Sequence, residues 1–295
     1  MSQKLTLPVL LCCLIFMVVF PQQTADCVRQ TLILWYQNVL PALLPALLIV
    51  HLLLSCTAIP MHPESFCLFV GVCCGFPLGC QCVCSAVQKG QLSREKGTLY
   101  AAAFNQFSPV FLSAYVSSIL NLPAITVFGI LYGANFLLFL PLFWSAGHKE
   151  QTYFDKPGPD PVKDCSHTFF ALLDNAIIKS SDTLVKIGGY MLICSMLRTI
   201  LQKMSSNKLL LVMVAGFLET TSGIAYTSTI CTNADLMGLA VLFFTAFGGL
   251  CGFLQVSQSL EEACLKKSFY LCFKLSAGLL AALLLILYKC LFTLL

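Results

Sequence analysis

Apolar blocks of about twenty residues, separated by short polar stretches, run the length of this chain. They fall at about 3–20, 35–55, 66–87, 98–120, 123–145, 176–201, 208–230, 236–259 and 268–293. A helix needs roughly 20 apolar residues to cross the hydrocarbon core of a bilayer. The pattern therefore predicts an all-α polytopic membrane protein. The first block starts beside Lys4 and is followed by Pro21-Gln22-Gln23-Thr24-Ala25-Asp26. That run has no small-x-small cleavage site, so the block reads as an uncleaved span.

The longest polar stretch, 146–168, holds three prolines, seven charges and no apolar period. It reads as a linker between two halves. The organisation expected is a span and connection over 1–30, a first repeat over 31–145, the linker, and a second repeat over 169–295. At the start of the second repeat, Phe169, Phe170, Leu172, Leu173, Ala176 and Ile177 have helical spacing with polar residues between. This predicts a short helix at the membrane surface, over 169–180.

The halves echo each other. Gly75-Phe76 recurs as Gly216-Phe217, and Ala103-Phe104 as Ala246-Phe247. Each half runs span, glycine-marked segment, broken span, final span. Paired interrupted segments of this kind mark secondary transporters. Four crossings per half would make the repeats parallel; three would invert them and make 66–87 and 208–230 re-entrant hairpins. Hairpins put Lys4, Lys89, Arg94, Lys96, Lys149, Lys156, Lys163, Lys266 and Lys267 on one side, against Arg29, Arg198, Lys203, Lys208 and Lys289. Nine against five favours the N-terminus inside.

Composition narrows the class further. The chain is 58% hydrophobic and 10% charged, where a soluble domain carries about 25% charge. The net charge of +4 is not arranged as a basic stripe, so nucleic acid is not an expected partner. Most of the seventeen cysteines lie inside apolar blocks and read as small packing residues. Cys73, Cys74, Cys80, Cys82 and Cys84 lack paired zinc-type spacing and a nearby histidine, so no metal site is expected. No hydrolase triad, phosphate loop or metalloprotease helix is present, and the chain reads as a non-enzyme without cofactor.

Four motifs interrupt the apolar blocks. Gly75-Phe76-Pro77-Leu78-Gly79 is either a hairpin tip or a proline kink. Asn105-Gln106-Phe107-Ser108-Pro109 puts two amides and a hydroxyl in mid-span, where they face a cavity or bond between helices. Glu219-Thr220-Thr221-Ser222 places a carboxylate in an apolar segment, suited to carry a proton or hold sodium, unless it reaches the interface. Gly248-Gly249, followed by Gly252 and Gln255, serves either an unwound helix or close packing. His51 and Lys186 read as interfacial residues, although Lys186 could balance an anion.

Six ordered segments carry a family resemblance: LWYQNVLPALLPALLIVHLL, GFPLGCQCVCSAVQKGQLSREKG, FNQFSP, IKSSDTLVKIGGYMLICSML, GFLETTSGI and AFGGLCGFLQVSQ. From about residue 30 onward the chain resembles the YlbJ family of sporulation integral membrane proteins, also called SpoVV. The resemblance implies a nucleoside-recognition or gate-type domain related to concentrative nucleoside transporters. That fold is an inverted-repeat transporter fold with re-entrant hairpins and broken helices. It also implies movement of dipicolinic acid across the outer forespore membrane. Cys80, Phe107 and Phe253 stand where the family pattern has alanine, a small residue and histidine.

The expectation is a transporter of a small planar anion in the lipid bilayer. Gly75, Pro77, Gly79, Asn105, Gln106, Ser108, Thr220, Thr221, Ser222, Gly248, Gly249 and Gln255 are the candidate substrate residues. Glu219 is the candidate for coupling to an ion, sodium or proton. A nucleoside or nucleobase transporter and a non-transporting sporulation scaffold are the alternatives. The oligomeric state stays open between monomer and homo-oligomer.

Overall fold

The computed structural model describes residues 3–55, 62–147 and 169–293. All regular elements among them are helical. The chain starts with α1 (Gln3–Val19), then a long helix made of α2 (Pro21–Leu34), a π-helical turn at Trp35–Val39, and α3 (Leu40–Ser55). Two short helices follow, α4 (Pro63–Cys73) and α5 (Leu78–Gln88). Next come α6 (Arg94–Ala103), an open stretch, α7 (Pro109–Phe111), a π-helical turn and α8 (Ser117–Leu120). The long α9 (Ala124–Gly147) closes this half.

The second half repeats the order. A long α10 (Phe169–Met204) leads to two short helices, α11 (Lys208–Leu218) and α12 (Thr220–Ile230). A broken helix follows as α13 (Ala234–Phe247) and α14 (Gly249–Glu262), and then a long α15 (Lys267–Thr293). Among the described residues, five helices are long and apolar enough to cross a membrane: Pro21–Ser55, Ala124–Ser145, Phe169–Met204, Ala234–Glu262 and Lys267–Leu291. The protein is an all-α polytopic integral membrane protein.

Two readings change. The short surface helix expected over 169–180 does not exist as a separate element; it is the first third of α10. No proline or glycine interrupts residues 169–187, and an Asp182–Lys186 pair at 2.7 Å keeps the helix wound there. The match of Gly75 with Gly216 also fails. Gly216 lies in the arm α11 against Gly223, as Gly71 lies in α4 against Gly79. Gly75 instead sits at a turn, where the other half has Glu219.

The short helices form two hairpins. Each arm has 11 residues, so it is about 16 Å long, half the thickness of the hydrocarbon core. The arms of the first fold back on each other, for the Sγ atoms of Cys67 and Cys82 are 3.5 Å apart. A Cβ on Gly79 would strike Gly71 and the carbonyl of Phe104, so glycine lets the end of α6 approach both arms. In the second hairpin a Cβ on Gly223 would lie 2.5 Å from Gly216 Cα.

Two apolar cores fix the directions. The first gathers both arms of hairpin one with Leu99–Phe104 of α6, Cys251, Val256 and Leu260 of α14, and Tyr270 and Phe273 of α15. The second gathers Phe111, Leu112 and Val116 with Val127–Ala134 of α9, Val241–Ala246 of α13, Ile224 of α12, and Ala277–Leu285 of α15. The broken helix α6–α8 thus runs from the first core to the second, and α13–α14 runs back. Helix α9 ends beside the first core, where Phe139 and Phe143 pack, whereas α15 starts there. The second set of elements is therefore inverted relative to the first, and the hairpins enter from opposite ends.

Lysine–carboxylate pairs lie at both ends. At the first-core end, Lys96 bonds Glu64 at 3.2 Å and Lys267 bonds Glu261 at 2.5 Å. Gly97 of α6 lets Val87 of α5 and Leu265 approach here. At the other end Lys289 pairs with Asp235. Of the nine lysines and arginines assigned to one side, Lys149, Lys156 and Lys163 lie outside the described residues.

Candidate functional site

Both hairpin tips reach the breaks in the two broken helices. At the first tip, the peptide before Pro77 is cis and Gly75 has a φ of 75°. The Phe76 N–H donates to the Gln106 carbonyl at 2.5 Å, inside the open stretch of α6–α8. The ring of Phe76 lies 5.9 Å from that of Phe107 and packs toward Gly252 of α14. At the second tip, Thr220 lies under Gly249, and its Oγ1 donates to the Phe244 carbonyl at 3.4 Å. The Tyr115 hydroxyl donates to the Thr221 carbonyl at 2.7 Å, tying the second tip to the first broken helix.

Between the tips is a cavity of about 50 Å³. Ser108, Glu219, Thr220, Thr221, Gly248 and Gln255 line its polar side. Phe76, Phe107, Leu43, Ile187 and Met191 line its apolar side. A water takes about 30 Å³ of liquid volume, so this space holds one or two waters and not an aromatic dicarboxylate. Gln255 and Ile187 also line a polar vestibule of about 250 Å³ that holds Pro77, Gln81, His51, Lys179, Lys186 and Glu262. Gln255 and Ile187 therefore stand between the vestibule and the central cavity.

Glu219 is where α11 stops and α12 starts. Its backbone is extended (φ −148°, ψ 121°), and its carboxylate caps the new helix. Oε1 accepts from the Thr221 N–H at 2.7 Å and Oε2 from the Ser222 N–H at 2.6 Å. The first amides of a helix lack internal acceptors and carry the positive end of its dipole. A buried carboxylate is stabilised by such donors. The amides of α12 are therefore occupied by the protein's own anion.

Helix α14 differs. Gly248 (φ 83°) and Gly249 (φ 69°) break the helix in the left-handed region, which favours glycine. No side chain caps the N-terminus of α14. Gly248, Cys251 and Gly252 of this turn line the cavity.

The remaining candidates are placed as follows. Ser108 caps α7 by accepting from the Phe111 N–H at 3.3 Å. Asn105 faces away from the cavity: its Oδ1 accepts from Cys80 N–H at 3.4 Å and its Nδ2 donates to the Tyr270 hydroxyl at 2.7 Å. The Gln106 side chain lines a lateral, mostly apolar cavity of about 650 Å³ with Tyr100, Tyr132 and Asn135. Ser222 is buried beside Glu219, Gly79 is buried between the hairpin arms, and Gly249 packs on Thr220. The structure thus brings six of the thirteen named residues to one cavity; of the other seven, Pro77 lines the vestibule, Gln106 lines the lateral cavity, and Gly75, Gly79, Asn105, Ser222 and Gly249 line none of the three.

Three residues that hold this site were not singled out by the sequence. Lys274 donates to the Asn105 carbonyl, the Tyr270 hydroxyl accepts from Asn105 Nδ2 at 2.7 Å, and the Asn135 amide donates to the Ala103 carbonyl at 2.5 Å. Lys274 was legible as a charge within an apolar block; the other two carry no such signal. Among the described residues, no three His, Cys, Asp or Glu side chains are grouped to hold a metal, and the cysteines are free thiols.

No family model and no solved structure matches the chain. Among curated proteins it is similar to the sporulation integral membrane protein YlbJ of Bacillus subtilis (strain 168). The two are 23% identical over 329 aligned positions, which cover 92% of this chain and 79% of that one. Taken with the six ordered segments, this near full-length likeness identifies the chain as a relative of the YlbJ sporulation integral membrane protein.

Proposed function

We propose that the protein is a sporulation membrane transporter that moves a small planar dicarboxylate, dipicolinate, across the outer forespore membrane by alternating access. The likeness to YlbJ supports the link to sporulation. The observation that carries the transport reading is the meeting of two hairpin tips and two helix breaks, from oppositely directed halves, around one cavity with a polar and an apolar wall. Backbone interrupted at mid-membrane depth is tolerated where it is buried in protein or lines a cavity.

In this reading, the uncapped amides of α14 receive one substrate carboxylate, because a helix N-terminus binds anions. Ser108, Thr220, Thr221 and Gln255 orient the ligand, and Phe76 and Phe107 face its ring. The hairpin-bearing unit moves to enlarge the centre, and the vestibule is the approach. A proton or sodium ion couples the movement. No bond is made or broken, so the protein is not an enzyme and needs no cofactor.

One observation favours a second reading. Glu219 puts a negative charge on the cavity wall, which opposes a dianion. A neutral nucleobase or nucleoside would meet hydroxyls and an amide that donate and accept equally well. Uptake of labelled dipicolinate into proteoliposomes, competed with unlabelled nucleosides, separates the two. Competition by nucleosides with no dipicolinate uptake selects the second reading. Absence of both selects a scaffold.

A further inference from the structure

Lys274 is a buried lysine in the first third of α15, a helix long and apolar enough to cross a membrane. It is 3% exposed. Its Nζ donates to the main-chain carbonyl of Asn105, in the open stretch between α6 and α7. The ion pairs found among the described residues all involve other lysines or arginines. On the preceding turn of α15, the Tyr270 ring centre lies 6.0 Å from Nζ, and its hydroxyl accepts from Asn105 Nδ2 at 2.7 Å.

The break explains why a cation belongs here. Asn105 lies two residues past the end of α6, in backbone with no helical pattern of bonds, so its carbonyl has no helical donor. At mid-membrane depth no bulk water replaces that donor. An ammonium group meets this need, and it keeps its charge only with such partners. The other hairpin shows the complement, because Glu219 meets the freed amides of α12. Both side chains belong to the second half: Lys274 reaches the break in the first half, and Glu219 the start of α12.

We propose that Lys274 is a tethered cation that serves the break between α6 and α7, so that the carbonyl end of this break takes no soluble cation in the native protein. A sodium ion would meet both a carbonyl already used and a like charge. Any ion that couples to transport acts elsewhere in the molecule. The role holds whether or not the protein carries dipicolinate, and its test reads stability rather than uptake.

The test is thermal unfolding of the purified full chain in detergent, in equal concentrations of sodium, potassium and choline chloride. Lys274→Met, which keeps the stem and loses the charge, is expected to unfold about 5 °C lower than wild type in each salt. Lys274→Ala opens space, so sodium is expected to raise its unfolding temperature saturably over choline, and by more than it raises that of wild type; the comparison with wild type removes any ion bound elsewhere. The proposal is overturned by a Lys274→Met protein as stable as wild type, or by a Lys274→Ala protein whose cation response is no larger than that of wild type. Should neither variant be obtained folded, Lys274→Arg, which keeps the charge, decides: stability near that of wild type supports the proposal, and failure to fold overturns it.

Discussion

The Sγ atoms of Cys67 and Cys82 lie 3.5 Å apart, one on each arm of the first hairpin. Residues 15 positions apart in sequence meet this way only if the chain reverses between them. A kinked but continuous helix would hold them about 20 Å apart, from its 1.5 Å rise per residue. With the other cysteines replaced, copper–phenanthroline oxidation of membranes is expected to join Cys67 to Cys82. The bond is detected as a peptide pair by mass spectrometry, and Cys82→Ala is expected to abolish it. No bond between them would return this segment to a kinked span.

Close packing of the arms gives a second expectation. Gly79→Ala and Gly223→Ala each drive a methyl group into backbone. Overpacking of this kind costs about 1–3 kcal/mol or more. Gly129→Ala is the control, because nothing lies within 4 Å of the added carbon. Thermal unfolding in detergent should fall for the first two and hold for the third.

Glu219 is held by two amides, so its replacement is expected to cost stability as well as function. Glu219→Gln keeps one acceptor and turns an N–H toward the other amide. A buried donor left unsatisfied costs about 1–3 kcal/mol. Unfolding temperature should fall for Glu219→Gln and fall further for Glu219→Ala, which loses both acceptors. Equal stability of all three proteins would contradict the capping role.

The open N-terminus of α14 can be filled from within the chain. Nothing lies within 4 Å of a carbon added at Gly248, although its φ of 83° strains any other residue. Gly248→Asn and Gly248→Asp carry that strain alike and both can cap the helix. Only aspartate adds a charge that repels an incoming carboxylate. Uptake of dipicolinate is expected to be at least about tenfold lower for Asp than for Asn, a difference of about 1.4 kcal/mol. Equal uptake would remove α14 from the anion site.

Much of the architecture was legible because lipid imposes simple rules. Block lengths gave the long helices after the first two blocks, and the interruptions located the hairpin segments and the breaks while leaving hairpin against kinked span open. The true partner of Gly71 was harder to read, since short glycine-phenylalanine pairs recur by composition and packing across a hairpin depends on both arms. The surface helix was mistaken because polar residues such as Asp174 and Asn175 suggested an interface, while an unbroken helix tolerates them. Asn105 shows the limit for the site. Its amide in mid-span announces a need for partners, but the choice of Tyr270 and Cys80 over a ligand is tertiary. Glu219 likewise announced a function before its bonds to Thr221 and Ser222 were visible.

The central claim is transport, and its most direct measurement is time-dependent uptake of labelled dipicolinate by proteoliposomes holding the wild-type protein, beside empty liposomes. The account predicts saturable uptake that unlabelled dipicolinate suppresses. Uptake no greater than that of empty liposomes, with folded protein in the membrane and with either a proton or a sodium gradient imposed, would contradict it.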